Sequence, residues 1–192
     1  PILAATRPMS SGLRHPHPCA PRRGLALLLA ALAALCLAQS ASAQAGSEAA
    51  LKLRLVLTLS RFVQWPAPVV ADQPLALCVG TRRGEVDPVF AAADGQSVGT
   101  RRVRLLKAGG SEGCDLLYLP SGADQAAALL RAQAQRPVLT VSDADGFLTR
   151  GGMVELVLVN DALRFDVNQT ALRSAHLGLS SQALRLARHV QD

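Results

Sequence analysis

The sequence lacks an apolar run long enough to cross a membrane. Its longest, Leu25–Ala38, has about 14 residues, whereas a membrane-spanning helix needs about 20. Arg22 and Arg23 precede this run, and the small residues Ala41-Ser42-Ala43 follow it. A basic end, a short apolar run and a small-residue cleavage site are typical of a secretory signal peptide. We therefore predict a leader over residues 1–43, cleaved after Ala43, in preference to a membrane anchor.

Net charge is small once the leader is set aside. The whole sequence has 20 Lys+Arg and 14 Asp+Glu, a formal net charge of +6. Four of those basic residues and none of the acidic ones lie in residues 1–43, which leaves a net charge of +2 beyond the leader. A basic surface is the main footprint of a nucleic-acid-binding protein, so we expect no nucleic-acid partner.

Cysteine is scarce beyond the leader. Of the four cysteines, Cys19 and Cys36 lie within residues 1–43, and only Cys78 and Cys114 remain. Two cysteines in an exported domain predict one disulfide. Two separate buried thiols are the alternative.

The common loops that bind phosphate or calcium are missing. Arg82 and Arg83 lie in Gly80–Gly84 (GTRRG), which lacks both the glycine spacing of a dinucleotide-binding loop and the Lys-Ser/Thr of a P-loop. A charged turn is therefore favoured over a phosphate site. Asp143 and Asp145 match half of a calcium-binding loop, without the later ligands and the terminal glutamate.

No residue set predicts a catalytic or metal site. His176 and His189 have no partner at the spacing of metal ligands on a helix. Ser180 and Ser181 lie near His176 but outside a G-x-S-x-G elbow, and helix capping accounts for them more simply. We expect no enzyme activity, no cofactor and no metal.

Strand-like and helical segments alternate beyond the leader. Glu48–Gln64 has an apolar stripe at helical spacing that includes Phe62, and Pro66 after Trp65 predicts its end. Four apolar segments predict buried strands, and two further segments predict helices: strands at Leu75–Val79, Val103–Leu106, Cys114–Leu119 and Pro137–Ser142, and helices at Val86–Ala93 and after a capping box of Ser121 and Asp124. This alternation is typical of an α/β three-layer sandwich with a mostly parallel sheet and flanking helices, in a single domain over residues 44–192.

One connection is short for this topology. Residues 107–113 join two predicted strands, whereas a parallel crossover usually needs a dozen residues or more. Two possibilities follow. Either one of these strands is antiparallel, or a bare loop makes the crossing.

The C-terminal third predicts a hairpin and two short helices. Met153–Val159 and Leu163–Val167 are strand-like around an Asn-Asp turn, which indicates an antiparallel hairpin at the edge of the sheet. Asn168 is placed to cap the next helix, and Gly178 to end it in the left-handed conformation. Ser180 or Ser181 then caps a last helix, whose single apolar face contains Leu184, Ala187 and Val190.

Loops that follow parallel strands gather at one edge of a sheet, where α/β proteins bind ligands. In this sequence those loops are Gly80–Gly84, Pro120–Gly122 and Asp143–Gly152. We therefore predict a ligand or partner edge that contains Arg82, Arg83, Asp143, Asp145 and Phe147.

Several separated motifs resemble the YfiR-like family, in the same order along the chain. They are RFVQWP, LCVG, CDLLYLP, VLTVSDADGF, GGMVELV, RFDVN and a last helix that begins with serine. The resemblance covers about Leu51 to Val190. The motif residues for which it implies a structural role are Phe62, Trp65, Pro66, Phe165, Asn168 and Ser181.

The resemblance implies a periplasmic regulator. Members of this family bind the periplasmic domain of a membrane-bound diguanylate cyclase, hold it inactive, and so restrain cyclic-di-GMP signalling and biofilm formation. Cys78 and Cys114 match the family's redox-sensitive pair, although the second pair of some relatives is absent. A homodimer stays open. A periplasmic small-molecule receptor that feeds another membrane sensor is the alternative, and a hydrolase using Ser180 or Ser181 is a weaker one.

Overall fold

The computed structural model describes residues 46, 48–66, 73–109 and 113–192. All of these residues belong to the unit Ala43–Asp192. The predicted leader, residues 1–43, lies outside the described residues.

The described part of the chain contains short strands and helices in alternation. The strands are β1 (Val63–Gln64), β2 (Leu75–Val79), β3 (Ser97–Val98), β4 (Arg101–Lys107), β5 (Leu116–Leu119), β6 (Leu139–Ser142), β7 (Val154–Val159), β8 (Ala162–Asn168), β9 (Gly178–Leu179) and β10 (His189–Gln191). The helices are α1 (48–60), α2 (Pro88–Ala91), α3 (Ala126–Ala132), α4 (Gln169–Ser174) and α5 (Ser181–Leu186), with a 3₁₀ turn at Leu148–Arg150.

A mixed, mostly parallel sheet of eight strands is the centre of the fold. Its strand order is β10-β8-β7-β6-β5-β2-β4-β3. Every adjacent pair within β7-β6-β5-β2-β4 is parallel, and β10 is parallel to β8. Antiparallel pairing joins β7 to β8 and β3 to β4. The predicted mostly parallel sheet and the C-terminal hairpin are both confirmed.

Side chains alternate between two cores across the central strands. On β2, Leu77 and Val79 belong to a large core that also contains residues of α1, α2, α4 and α5. Cys78 lies on the opposite face, in a smaller core with Leu117 of β5 and the half-buried residues of α3. All four residues of β5 and of β6 are buried. Two of those on β6, Thr140 and Ser142, are polar, and their hydroxyl groups are hydrogen-bonded to Met153 and Leu119. The predicted three-layer sandwich is confirmed.

The first helix ends earlier than predicted. Residues 61 and 62 form a turn after α1, and β1 then pairs with β9 in a separate two-stranded sheet. The backbone N–H of Ser180 also donates to the carbonyl oxygen of Phe62. The prediction that the helix runs to Gln64 and stops because of Pro66 is therefore wrong. Pairing with a distant segment ends the helix, and local periodicity contains no sign of it.

The connection between β4 and β5 crosses the sheet without changing strand direction. Both strands are parallel to β2, and they lie on opposite sides of it. Residues 108–115 make this connection, of which 110–112 lie outside the described residues. Of the two possibilities left by the sequence, the antiparallel strand is wrong.

The C-terminal segment departs from prediction at its end. Helix α5 ends at Leu186, and the backbone N–H of Arg188 donates to the carbonyl oxygen of Phe165, which begins the pairing of β10 with β8. Val190 therefore lies on a strand and not on a helix face. The edge of the sheet is β10, outside the predicted hairpin.

Gly178 has a different role from the one predicted. The left-handed residue after α4 is His176, with φ 57°. Gly178 instead lies in β9, where a Cβ atom would come within 2.7 Å of the Oε1 of Gln64. The end of the Gln64 side chain on β1 therefore lies where a side chain at position 178 would begin, and Gly178 does not end α4.

Candidate functional site

The carboxyl ends of β5 and β6 meet the side of α1 through ionised side chains. Asp143 follows β6, and its Oδ1 accepts a 2.6 Å hydrogen bond from the backbone N–H of Ser121, which follows β5. Its Oδ2 lies 2.5 Å from the Nζ of Lys52 on α1. Lys52 also pairs with Glu48 of the same helix, at 2.5 Å. These contacts fasten α1 to the loops after β5 and β6.

Burial disfavours the charged forms of both Lys52 and Asp143, but their hydrogen bonds and opposite charges outweigh the effect of burial on each pKa. Burial raises the pKa of Asp143, but the hydrogen bonds from Lys52 and Ser121 and the charge of Lys52 outweigh it, so the pKa lies below its ordinary value. Burial lowers the pKa of Lys52, but the carboxylates of Asp143 and Glu48 raise it above its ordinary value. Burial and a hydrogen bond with Asp143 raise the pKa of Tyr118. The pair is therefore charged at neutral pH, and Tyr118 is neutral.

A polar pocket of about 310 Å³ lies beside this pair. The rings of Phe90 and Tyr118 are stacked in it, with centroids 4.3 Å apart. Cationic and anionic side chains both line the pocket: Glu48, Ala49, Lys52, Arg82, Asp87, Phe90, Tyr118, Pro120, Ser121 and Asp143. Because both signs of charge face the same space, the pocket matches a small molecule that has both charges better than a simple anion.

The carboxylate of Asp124 accepts hydrogen bonds from the backbone N–H groups of the Arg82–Glu85 turn, the groups that would otherwise bind an anion. Arg83 (φ 53°) and Gly84 (φ 82°) are both left-handed, as in the tight turn that joins two antiparallel strands. Their backbone N–H groups donate to the Asp124 carboxylate at 3.2 and 2.7 Å, and the Thr81 hydroxyl donates at 3.0 Å. The hydrogen bonds from Gly84, Thr81 and Arg83 hold the pKa of Asp124 below its ordinary value. The protein's own Asp124 carboxylate therefore lies where a phosphate would have to bind this turn.

This arrangement overturns the predicted capping box. The N-cap residue of α3 is Gln125, which is left-handed and makes no side-chain cap. Asp124 is turned toward the neighbouring loop instead. The carboxylate is used more fully there, because it accepts three hydrogen bonds from a turn that is distant in sequence.

The predicted edge residues fall into separate environments. Arg82 and Asp143 line the polar pocket, and Arg83 lies in the turn that Asp124 binds. Asp145 is exposed on the loop after β6. Phe147 is only 3% exposed and belongs to the smaller core, and it also lines a pocket with Leu119 and Leu130 on that face of the sheet. A Cβ atom on Gly152 would lie 2.2 Å from the Phe147 ring, which explains the glycine there.

Cys78 and Cys114 form the predicted disulfide. Their Cα atoms are 5.7 Å apart, within the usual range for a disulfide. Cys78 is buried on β2, and Cys114 lies in the connection that crosses from β4 to β5. The bond therefore ties this connection to the strand that it passes, and the alternative of two separate thiols is wrong.

The motif residues lie mainly in structural positions. Phe62 and Trp65 are half-buried and pack against the large core, in which Phe165 is buried. Pro66 is exposed. The side chain of Asn168 caps α4, as predicted, by accepting from the backbone N–H of Ala171 at 2.9 Å.

Ser180, and not Ser181, caps the last helix. The Oγ of Ser180 accepts from the backbone N–H of Ala183 at 3.3 Å, whereas Ser181 is the first residue of α5. The structural role that the motif implied for Ser181 therefore falls to its neighbour. A capping contact also accounts for the Ser180 hydroxyl without a nucleophilic role.

A groove of about 670 Å³ runs between α1 and the segment from α2 to β3. Leu53 and Leu57 of α1 form part of its floor, and the exposed residues Arg54 and Arg61 line it as well. Leu51, on the same helix, is 49% exposed. The groove is an apolar concavity beside α1.

The described residues contain neither a membrane-spanning helix nor a candidate metal cluster. No helix in the described ranges is both long and apolar enough to span a membrane. Within the same ranges, no three His, Cys, Asp or Glu side chains are grouped so that they could hold a metal ion.

The sequence prediction missed Lys52, Tyr118 and Asp124. Lys52 lies within an apolar helix pattern, and its pairing with Asp143 spans 91 positions. Tyr118 reads as an ordinary buried strand residue. Asp124 had a plausible local partner in Ser121, and only the approach of the Arg82–Glu85 turn gives it another. The one indication of this site in the sequence was Lys52 itself, a basic residue among the leucines of α1.

Comparison with known proteins finds a family match that covers nearly all of the sheet and its helices. A comparison with curated proteins found no match. A family model described as YfiR/HmsC-like matches residues 49–188, which include Lys52, Asp143, Asp124 and the disulfide. This match covers well over half of the chain. The chain therefore belongs to the YfiR/HmsC-like family.

Proposed function

We propose that this protein binds the periplasmic domain of a membrane-bound diguanylate cyclase and holds the enzyme inactive. The observation that carries the proposal is the family match over residues 49–188, because the family supports a periplasmic regulator of diguanylate cyclase signalling. The regulator acts by binding and not by turnover, in keeping with the regulatory character of the family. It reaches the periplasm through the leader over residues 1–43.

The contact surface in this proposal is the groove between α1 and the α2–β3 segment. Its apolar floor and its concave shape fit an apolar segment of a partner, such as one face of a helix. Arg54 and Arg61 add positive charge at the groove, so a partner segment with acidic flanks would bind fastest. We favour this groove over the surface around α5, whose exposed apolar residues, Leu186 and Val190, do not line it.

Inhibition needs only a modest difference in affinity. A cyclase with an active and an inactive conformation is shifted by any partner that binds one of them more tightly. A preference of about 3 kcal/mol for the inactive form changes the ratio of the two forms by more than a hundredfold. The fixed position of α1, held by Lys52 and Asp143, would keep the groove preformed for this contact.

A small-molecule receptor is the second candidate function. The polar pocket beside Lys52 supports it, because its volume of about 310 Å³ lies within the range of small-ligand sites. A receptor of this kind would feed another membrane sensor.

The test measures cyclic-di-GMP in cells that express the cyclase. Deletion of the regulator should raise the nucleotide level, and the exported protein supplied in trans should restore it. Ala92→Trp, which fills the groove, should fail to restore it. Ala91→Trp is the matched control, because Ala91, the neighbouring residue at the end of α2, is exposed and does not line the groove.

Three outcomes would count against the proposal. An unchanged nucleotide level after deletion would remove the regulator function itself and favour the receptor. Full restoration by Ala92→Trp would leave the regulator function standing and exclude the groove as its contact surface. Equal failure of both variants, with normal accumulation of both proteins, would do the same.

A further inference from the structure

The sheet face opposite α1 has the smaller core. Among the described residues it has five buried residues, against 25 in the core on the other face. Helix α3 packs on this smaller core, and none of its residues is buried. Yet this helix is apolar, and Ala126, Leu129 and Leu130 pack only partly against the core. An apolar helix that does not close against its sheet leaves space beneath it.

That space is a pocket of about 530 Å³ at the carboxyl ends of β5 and β6. Its walls are mainly apolar, formed by Leu119, Ala126, Ala127, Leu130 and Phe147. The volume and the lining are those of a small-ligand site, and the position is where open α/β sheets bind ligands.

Two arginines give the apolar pocket a charged side. Arg131, on the last turn of α3, and Arg150, at the end of the 3₁₀ turn, both line it and are both exposed. Within the described part of the chain, neither guanidinium group has a hydrogen-bond or ion-pair partner. An arginine side chain binds a carboxylate through two parallel hydrogen bonds. Two such groups beside an apolar pocket match a ligand with an apolar body and one carboxylate.

A second pocket, of about 310 Å³, adjoins the first and is shared by both arginines. It is lined by polar side chains that include Thr140, Asn168 and Gln133. Among the described residues, the Oε1 of Gln133 is the one buried side-chain oxygen or nitrogen without a hydrogen-bond partner. A buried acceptor without a donor is unfavourable, and a hydroxyl or amide group of a ligand would satisfy it. A hydroxyl or amide that a ligand carries in addition to a carboxylate therefore belongs on this side of the arginines.

We propose that the space beneath α3 binds a small carboxylic acid with an apolar body, of the medium-chain aliphatic or aryl class. The body lies against Leu119, Leu130 and Phe147, and the carboxylate lies between Arg131 and Arg150. This site is separate from the groove beside α1 and from the polar pocket beside Lys52. The proposal holds whether or not the protein inhibits a cyclase.

Calorimetric titration of the purified, disulfide-bonded protein with decanoate tests the proposal, with decanol as the uncharged counterpart. Decanoate should bind at least about tenfold more tightly than decanol, because a charge-assisted hydrogen bond contributes about that factor. The double variant Arg131→Gln/Arg150→Gln should lose this preference. Arg136→Gln, an exposed arginine just beyond α3 that lines neither pocket, should keep it.

A second pair of variants tests the apolar part of the site. Ala126→Phe places a ring in the pocket and should weaken decanoate binding by at least about tenfold. Ala132→Phe, at the other end of α3 and outside both pockets, should leave it unchanged. Thermal unfolding of each variant shows whether it is folded. If Ala126→Phe is not folded, the arginine variants alone test the proposal.

The proposal is overturned by any of three results. One is the absence of decanoate binding to the unmodified protein. Another is equal affinity for decanoate and decanol. The third is a preference for decanoate that the arginine double variant retains.

Discussion

The Nζ of Lys52 lies 2.5 Å from the Oδ2 of Asp143, although 91 positions separate the two residues in the chain. The side chains are 16% and 9% exposed. This pair joins the N-terminal helix to the end of a central strand, at the edge of the sheet where the loops converge. It therefore sets the position of the helix that lines the proposed partner groove.

Lys52→Met should lower the free energy of unfolding by about 2 kcal/mol, because it leaves the carboxylate of Asp143 largely buried without its cationic partner. Urea denaturation measures the change. Lys107→Met is the control, since Lys107 is exposed and its replacement should cost less than about 0.5 kcal/mol. Equal losses of unfolding free energy in the two variants would show that the Lys52–Asp143 ion pair does not stabilise the fold.

Stability should fall with acidification, and part of the fall should come from Asp143. Its pKa is lower in the folded protein than in the unfolded chain, where an aspartate titrates near about 3.9. The unfolded chain therefore binds more protons in this window, so the stabilisation is present above the unfolded pKa and is lost as pH falls through the folded pKa. Asp143→Asn should flatten the stability profile below about pH 4. An unchanged slope in urea melts at several pH values would contradict the assignment.

Cys114→Ser should lower the free energy of unfolding by about 3–4 kcal/mol, because the disulfide closes a loop of 36 residues in the unfolded chain. Urea melts of the variant and of the unmodified protein, each with and without reductant, measure the loss. Reductant should destabilise the unmodified protein and leave the variant unaffected. Two titratable thiols in the denatured, unreduced protein would rule out the bond.

Asp124→Ala should expose the backbone amides of the Arg82–Glu85 turn. The N–H groups of Arg83 and Gly84 lose their acceptor, so their hydrogen exchange should accelerate by about tenfold or more. Amide exchange followed by NMR reads both positions directly. Asp145→Ala, on an exposed loop position, should leave the exchange rates of both amides unchanged.

Ser180→Ala should lower the free energy of unfolding by about 1 kcal/mol, as expected for the loss of an N-cap. Ser181→Ala should change it by less than about 0.5 kcal/mol, because Ser181 is the first helical residue and not the cap. Thermal or urea unfolding of the two single variants gives the comparison. The reverse order of effects would restore the role that the sequence motif implied for Ser181.

The sequence by itself determined the parts of this protein that depend on local pattern. Runs of apolar and β-branched residues identified the buried strands β2, β5 and β6, since a strand covered on both faces does not alternate with charged residues. The hairpin of β7 and β8 followed from its turn residues, and Asn168 was identified as a cap by its side chain. The disulfide followed from counting cysteines in an exported domain.

Only the tertiary structure decided what depends on contacts between distant segments. The pairing of β1 with β9 ended the first helix at residue 60, and the pairing of β10 with β8 turned the end of the predicted last helix into an edge strand. Asp124 left its local partner for a turn about 40 positions away. Lys52 joined the site only because α1 packs beside the carboxyl ends of β5 and β6. Each of these outcomes is a competition between a local preference and a partner brought close by folding, and a partner of that kind is not visible in the pattern of neighbouring residues.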